Sequence, residues 1–218
     1  EKNEFSIAIL KSGDFRDDSG ILIEIGIFKI LLTVDSNLLN FGKLPKIDLI
    51  SSSFAGGASG FPLCFENNSE LKKKSIIQRN KKGLKLANMK SIELTNAKYF
   101  LPYAGFFSEN AKRDNYIKIN NKKNSVEDYQ DFCLKNNCKL LNINNYQIYK
   151  FRGDQLISSS RDNSERYKDI QTEEYIGKNL KITKSDFTNL IFNYFKNSSY
   201  KDNLILDLIT TDDDFTNY

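Results

Sequence analysis

Two apolar runs near the start of the chain predict a pair of β-strands. Residues 20–25 and 28–34 are rich in isoleucine and leucine, and only Gly26 and Ile27 lie between them. Runs of this length joined by a short turn that contains glycine are typical of a β-hairpin. A third apolar run at 47–52 predicts a further strand.

The middle of the chain shows helical periodicity. Ser69 is a suitable N-cap for a long helix, in which Gly83 is a weak point or a break. The apolar positions of this helix are Ile76, Ile77, Leu84, Ala87 and Met89. Ser125 and Asp128 have the spacing of a capping box, which predicts a second helix. Its apolar face would carry Val126, Tyr129, Phe132 and Cys133.

Short strand-like runs separate and follow these helices. The run at 98–101 is expected to end at Pro102, and two more runs follow at 139–143 and 147–151. This order of strands and helices favours an α/β layer over a helical bundle or a β-sandwich.

The last quarter of the chain changes composition. Residues 158–180 are polar and rich in serine and charged residues, as a linker would be. Thr183 and Asp186 then form another capping-box pattern ahead of apolar positions. The sequence therefore predicts a first domain at 1–157, a linker, and a small α/β extension at 181–218.

Composition limits the chemistry that this chain can perform. It contains no histidine, so it cannot build a Ser-His-Asp triad or a two-histidine iron site from its own residues. Its three cysteines, with no signal-like segment, argue against a secreted disulfide framework and predict a cytoplasmic protein. No apolar run reaches the roughly 20 residues of a membrane span. The net charge of +4 is modest, so no nucleic-acid partner is expected.

Three positions are candidates for a functional site. Asp35 directly follows the strand 28–34, where functional carboxylates of α/β proteins often emerge, although it would also suit a turn or a helix cap. The loop 53–62 holds three glycines that would let a ligand approach the backbone, or would allow tight packing. Tyr103 could point into a site or belong to the core.

The basic residues of the long helix and the cysteines are explained by structure without a functional role. The lysines and Arg79 between residues 72 and 85 are typical of a solvated helix face. Cys133 and Cys138 have no further soft ligand nearby, so they indicate buried side chains and not a zinc site. Cys64, beside an aromatic residue, is also expected to be buried.

Several segments, in the same order along the chain, resemble the CMP-N-acetylneuraminate hydroxylase family. The first is the loop 54–62, with the sequence FAGGASGFP, and the next is the turn 102–105 with its Pro, Ala and Gly. The third runs from Asp114 to Asn124 and contains Tyr116, Lys118, Asn121 and Lys123, and the last is the TDxDF pattern at 211–215.

The resemblance implies a fold and an activity. Members of this family join a Rieske 2Fe-2S domain to a metallo-β-lactamase-like domain, and they hydroxylate the N-acetyl group of a CMP-sialic acid with oxygen and electrons from cytochrome b5. The present chain would form the second half of the αββα sandwich, at 1–157. Asp35 would be a ligand of the iron. The substrate-binding residues would be Ser53, Gly56, Gly57, Ser59, Gly60, Tyr103, Lys118 and Lys123.

The chain also departs from the family pattern, and alternatives stay open. It has no Cys-x-His pair and no His-x-His motif, and Tyr103 stands where related hydrolases place a late histidine. We therefore expect a piece of a larger protein that binds no metal tightly by itself and that self-associates through an exposed sheet face. The alternatives are a metal-dependent hydrolase of the same fold and a catalytically silent binding fragment.

Overall fold

The structure of the chain is a computed structural model. It describes residues 4–13, 18–36, 38–56, 60–105, 109, 114–143, 147–161, 188–189, 192–193 and 196–197. The chain divides into two units, one of residues 1–109 and 117–167 and one of residues 110–116 and 168–218. The strands and helices given below belong to the first unit, except that one short helix begins in the second.

The elements alternate in the way an α/β chain requires. In chain order they are β1 (Phe5–Lys11), β2 (Ser19–Ile25), β3 (Phe28–Val34), β4 (Leu49–Ser53), α1 (Glu70–Thr95), β5 (Tyr99–Ala104), α2 (Asn115–Asn120), α3 (Gln130–Lys135), β6 (Lys139–Leu140), β7 (Gln147–Arg152) and β8 (Gln155–Arg161). Strands β1 to β6 form one six-stranded sheet in sequence order, and β7 pairs with β8. The pairs from β1 to β3 are antiparallel and those from β3 to β6 are parallel, so the predicted α/β class is confirmed.

The predicted hairpin is present as β2 and β3. Ile25 lies opposite Phe28, which leaves Gly26 and Ile27 as a two-residue turn. Gly26 has φ +57°, in the left-handed region that tight hairpin turns demand and that glycine adopts without a steric penalty.

Helix α1 begins where the sequence predicts and is the longest element. The Ser69 side chain accepts a hydrogen bond from the backbone N–H of Lys72, as an N-cap should. The helix runs for 26 residues through Gly83 without a break, which corresponds to about 39 Å. Because Asn88 hydrogen-bonds Ser52 and Ser53 at the end of β4, the part of α1 before Asn88 extends beyond the carboxyl edge of the sheet.

The core lies mainly between the sheet and its helices. Leu31, Ile50 and Phe100 project from three adjacent strands and are at most 1% exposed, as are Ile92 of α1 and Tyr129. On the other face of the sheet, the hairpin β7–β8 covers Phe28, Leu49 and Leu141. The Phe151 ring of that hairpin lies 4.7 Å from the Phe28 ring, measured between centroids.

The remainder of this second face is apolar and exposed. The register of β1 and β2 places Phe5, Ile7 and Ile9 opposite Ile25, Ile23 and Ile21. Paired residues share one face of a sheet. Phe5, Ile7 and Ile9 are 66%, 58% and 75% exposed, so no element among the described residues covers this apolar sheet face over β1 and β2.

Three local predictions need correction. Pro102 does not end β5, which continues to Ala104. The neighbouring β6 stops at Leu140, opposite Phe100, so within the described part of the chain no strand pairs with β5 on that side at Pro102. The predicted strand 139–143 is only two residues long. Residues 158–161, predicted as linker, continue β8, whose partner β7 supplies their hydrogen bonds.

Elements that the sequence pattern did not predict are β1, β8 and the short helix α2. Helical residues at 188–189, 192–193 and 196–197 fall where a helix is predicted after Thr183. The predicted start of the linker at 158 falls inside β8. The rest of the predicted linker and extension lies outside the described residues, so the boundary at 180 stays a prediction.

Candidate functional site

The candidate site lies at the carboxyl edge of the parallel strands. Asp35 follows β3, Ser53 ends β4, and Tyr103 lies near the end of β5. Because β3, β4 and β5 are adjacent and parallel, their carboxyl ends meet at one edge of the sheet. Ligands of open α/β sheets bind at such an edge.

Asp35 and Tyr103 are close enough to interact. Tyr103 is 38% exposed, and its pKa is raised, first by partial burial and second by the negative charge of Asp35. Both effects disfavour the phenolate. Tyr103 therefore stays protonated at neutral pH and can donate a hydrogen bond at this edge.

A buried chain of hydrogen bonds fixes the end of β4. The Thr33 hydroxyl donates to Ser52 Oγ, at 2.7 Å, and the Ser52 hydroxyl donates to Asn88 Oδ1, at 2.7 Å. Asn88 Nδ2 donates to the Ser53 carbonyl at 2.8 Å and to Tyr129 Oη at 3.2 Å. Each polar group is satisfied, so the network stiffens the start of the glycine loop. Ser53 itself is buried.

The glycine loop needs its glycines for conformation and for close packing. Gly56 has φ +95°, which a residue with a side chain rarely adopts. A Cβ on Gly105, where φ is +126°, would lie 2.8 Å from the Ala55 nitrogen, and a Cβ on Gly60 would lie 2.7 Å from Ile117 Cδ1. The loops after β4 and β5 therefore touch each other, and the Ile117 side chain packs on Gly60. Gly57 and Ser59 lie outside the described residues.

A pocket of about 580 Å³ opens beside this loop, within the range of roughly 300–1,000 Å³ that small-molecule sites occupy. Its walls are the overhanging part of α1, the loop and residues 121–123. The lining residues are Ala55, Gly56, Phe61, Ile77, Arg79, Asn80, Lys81, Gly83, Leu84, Ala87, Asn121, Lys122 and Lys123. Four of them are cations and none is a carboxylate, so the pocket favours an anion.

The two predicted site lysines have different surroundings. Lys123 lines the pocket and donates to Glu109 Oε1 at 2.8 Å. Burial alone would raise the pKa of Glu109, but the hydrogen bond from Lys123 and the charges of Lys123 and Lys118 outweigh it and lower that pKa. Lys118 is exposed on α2 and does not line the pocket.

Sequence reasoning missed several residues of this region. Asn88 and Tyr129 were assigned only to helices, and Arg79 and Lys81 only to a solvated face, whereas the first two bond the loop and the other two line the pocket. A polar Asn in an otherwise apolar helix stripe was the one available signal for Asn88.

The structure also bears on the predictions about metal ligands and cysteines. In the part of the chain that the structure describes, no group of three or more His, Cys, Asp or Glu side chains could hold a metal ion. Cys133 and Cys138 are buried, as predicted, but Cys64 is exposed, so the prediction of a buried Cys64 is wrong. No helix among the described residues is long and apolar enough to span a membrane.

The fold and the pocket thus define an α/β protein with an anion-favouring site at the carboxyl edge of its sheet. Comparison with family models gives no match, and no solved structure matches the chain either. Curated proteins do match. The chain is 31% identical, over 214 residues, to the human protein named inactive cytidine monophosphate-N-acetylneuraminic acid hydroxylase. That alignment covers 91% of this chain and 43% of the human protein.

Two further relatives carry the name cytidine monophosphate-N-acetylneuraminic acid hydroxylase. The chimpanzee protein is 37% identical over 122 residues, or 55% of this chain and 21% of that protein. The zebrafish protein is 36% identical over 121 residues, or 54% of this chain and 20% of that protein. The chain is similar to proteins named as these hydroxylases, so the resemblance seen in its loops is confirmed. It spans less than half the length of the curated relatives it matches.

Proposed function

We propose that this chain is part of an oxidoreductase that hydroxylates the N-acetyl group of a nucleotide-activated sialic acid or a related sugar. The observation that carries the proposal is the similarity to proteins named as such hydroxylases, which covers 55% of the chain for the chimpanzee protein. The alignment with the human protein, which is named inactive, covers 91% of the chain. The pocket supports it, because a sugar nucleotide is an anion of the size that the pocket admits.

The proposal includes the metallo-β-lactamase-like architecture. Such a fold packs two sheets face to face, and the exposed apolar face over β1 and β2 would suit a second sheet. Helix α1 covers the opposite face, as the outer layer of an αββα sandwich does. The same proposal assigns 1–157 to this domain and the residues from 181 onward to a C-terminal extension.

Iron and a Rieske cluster would supply oxygen and electron chemistry to the whole enzyme, with cytochrome b5 as the electron donor. The described residues do not form a site for either group, because Asp35 is a single carboxylate with no cluster of further ligands around it. An iron ion takes four to six ligands. We therefore assign no catalytic step to Asp35, and we assign the chain's own residues the binding and orientation of the substrate.

Within this assignment, each part of the site has a physical role. Tyr103, held protonated, would donate a hydrogen bond to the sugar. The glycine loop would let the substrate approach the backbone closely, as Gly56 permits. The network of Asn88 and Tyr129 would keep that loop in place.

The alternatives predicted from sequence have less support. The relatives are named hydroxylases, which does not favour a metal-dependent hydrolase. A silent binding fragment would still use the pocket, and only a measurement of reaction in a complete enzyme would separate it from an active one.

The proposal predicts selective binding of the substrate. Calorimetric titration of the folded chain should give a lower Kd for CMP-N-acetylneuraminate than for CMP or for N-acetylneuraminate alone. UDP-glucose serves as the control for a nucleotide sugar of different chemistry. Equal affinity for CMP-N-acetylneuraminate and UDP-glucose would remove the reason to assign a sialic acid substrate.

A further inference from the structure

A cationic pocket stands beside the loop that the family resemblance had emphasised. Its wall is the part of α1 that overhangs the carboxyl edge of the sheet, and residues 121–123 face that wall. Asp35, Tyr103 and Lys118 do not line it. The pocket is therefore a separate feature from the residues at the strand ends.

We propose that this pocket binds the phosphate of the nucleotide, with Arg79 and Lys122 as its cationic ligands. The inference takes the nucleotide from the proposed function, whereas the position of the phosphate rests on the pocket. Arg and Lys are the usual partners of phosphate oxygens, and Arg can bind two of them at once.

The four cationic side chains that line the pocket differ in whether they form ion pairs. Lys81 Nζ lies 3.6 Å from Asp128 Oδ2, and Lys123 Nζ lies 2.8 Å from Glu109 Oε1. These pairs draw two of the lysines toward carboxylates outside the lining. Across the described ranges the ion pairs do not include Arg79 or Lys122, whose exposed side chains are placed to meet a ligand.

The two walls of the pocket are tied together before any ligand binds. Asn124 Nδ2 donates to the Lys81 carbonyl at 2.9 Å, which joins the segment 121–124 to α1. The Ser125 N–H donates to Asp128 Oδ2 at 2.9 Å, and this bond first, then the charge of Lys81, lowers the pKa of Asp128. Asp128 is thus held as a carboxylate that fixes Lys81. A pre-formed pocket loses less entropy on binding.

The absence of a side chain at Gly83 enlarges the pocket. A glycine inside a helix costs about 1 kcal/mol relative to alanine, yet a Cβ at Gly83 would meet no atom within 4 Å. Packing inside the chain therefore does not require glycine there. Since Gly83 lines the pocket, its missing side chain leaves space for a ligand between Arg79 and the apolar wall formed by Leu84 and Ala87.

The test compares the effect on ligand affinity of variants that remove charge from the pocket and of a variant that fills it. Isothermal titration would measure the Kd of CMP, cytidine, inorganic phosphate and CMP-N-acetylneuraminate for the chain and three variants. The double variant Arg79→Gln with Lys122→Gln should bind CMP about 100 times more weakly or worse, because each of the two charged hydrogen bonds contributes about tenfold or more. Gly83→Met should also weaken CMP binding without lowering the Tm, because methionine favours helices.

The matched control is Lys82→Gln, which removes a charge from the same helix outside the pocket and should leave the Kd unchanged. Cytidine should bind at least tenfold more weakly than CMP. Similar binding of CMP by the double variant and the unaltered chain, or no binding of CMP by the folded chain, would overturn the inference.

The arms of the experiment also separate this inference from the proposed function. Binding of CMP through Arg79 and Lys122 with no gain from the sialic acid would retain the phosphate site and reject the sialic acid substrate. Selective binding of CMP-N-acetylneuraminate that survives in the double variant would retain the function and reject the phosphate site.

Discussion

Tyr129 connects a helical segment to the loop that follows β4. Its hydroxyl donates to the Phe54 carbonyl at 3.0 Å and accepts from Asn88 at 3.2 Å, and its ring, fully buried, packs on Phe100. Removal of the hydroxyl would leave the Phe54 carbonyl buried without this donor. A lost bond of this kind costs more than the bond itself contributes, because the remaining polar group stays desolvated.

The variant Tyr129→Phe should therefore lower the free energy of unfolding by about 1–2 kcal/mol at pH 8. Burial raises the pKa of Tyr129 to about 12, and the hydrogen bond from Asn88 only partly opposes it. The unfolded tyrosine titrates near 10, so the stability that Tyr129 contributes is complete below pH 10 and is lost as pH rises toward 12. The difference between the two proteins should shrink over this range.

Urea unfolding at pH 8, 10 and 11 would measure that difference. Both proteins contain the other ten tyrosines, so the subtraction isolates Tyr129. A difference that stays constant from pH 8 to 11 would contradict the assignment of a raised pKa to this residue.

At the scale of residues, the sequence predicted which residues lie at the strand ends better than it predicted which residues lie close to one another. Asp35 and Tyr103 are predicted site residues because each comes at the end of an apolar run, and the parallel order of β3, β4 and β5 does bring them together. Arg79 and Lys122 are 43 positions apart in the sequence and line the same pocket because α1 overhangs the sheet. No local pattern encodes that distance, so their meeting could not be read from the sequence.

At the scale of elements, sequence patterns predicted caps and turns correctly where the conformation depends only on neighbouring residues. The Ser69 cap and the Gly26 turn are such cases, since both depend on a few adjacent residues. Strand β8 contains three serines and reads as linker, but β7 supplies its hydrogen bonds. Pro102 predicts the end of a strand, but at that point β5 has a partner strand on one side only among the described residues. The lengths of β5 and β8 therefore depend on pairing with other strands of the chain.

Two glycines at different elements should respond to the same substitution in opposite directions. Gly83→Ala should raise the free energy of unfolding by about 0.5–1 kcal/mol, because a Cβ there meets no atom within 4 Å and alanine favours the helix. Gly105→Ala should lower it by about 2 kcal/mol or more, because φ is +126° and the Cβ would collide with Ala55.

Thermal and urea unfolding of both variants would check these signs. Each variant is the control for the other, since both add one methyl group. Stabilisation by Gly105→Ala would show that the contact between the loops after β4 and β5 is looser than the structure indicates.

At the scale of the whole molecule, the sheet has two unequal faces. Among the described residues, helix α1 covers one face, and the hairpin β7–β8 covers only part of the other. The exposed portion over β1 and β2 is on the order of 500 Å², near the upper end for the largest apolar patch of a monomeric protein. The resemblance predicted such a face, because a half of a sheet sandwich exposes its inner surface.

This patch should make the isolated chain self-associate. A second copy is the occupant we expect, because the same apolar face on both chains can pack sheet to sheet around a twofold axis. Stable interfaces bury about 800 Å² on each partner, which is more than the patch provides. The dimer should therefore be weak, with a Kd on the order of micromolar.

Sedimentation velocity between about 1 and 100 μM, a range chosen to bracket a dimer of that affinity, would test this expectation. The sedimentation coefficient should rise with concentration, and the double variant Ile7→Thr with Ile9→Thr should keep the monomer value, since threonine preserves the strand and removes apolar area. Leu71→Thr is the matched control, because Leu71 is 82% exposed on α1, away from the sheet face. A coefficient that is independent of concentration in the unaltered chain would mean that this face is covered within the monomer. A rise that persists in the double variant would place the contact on another surface.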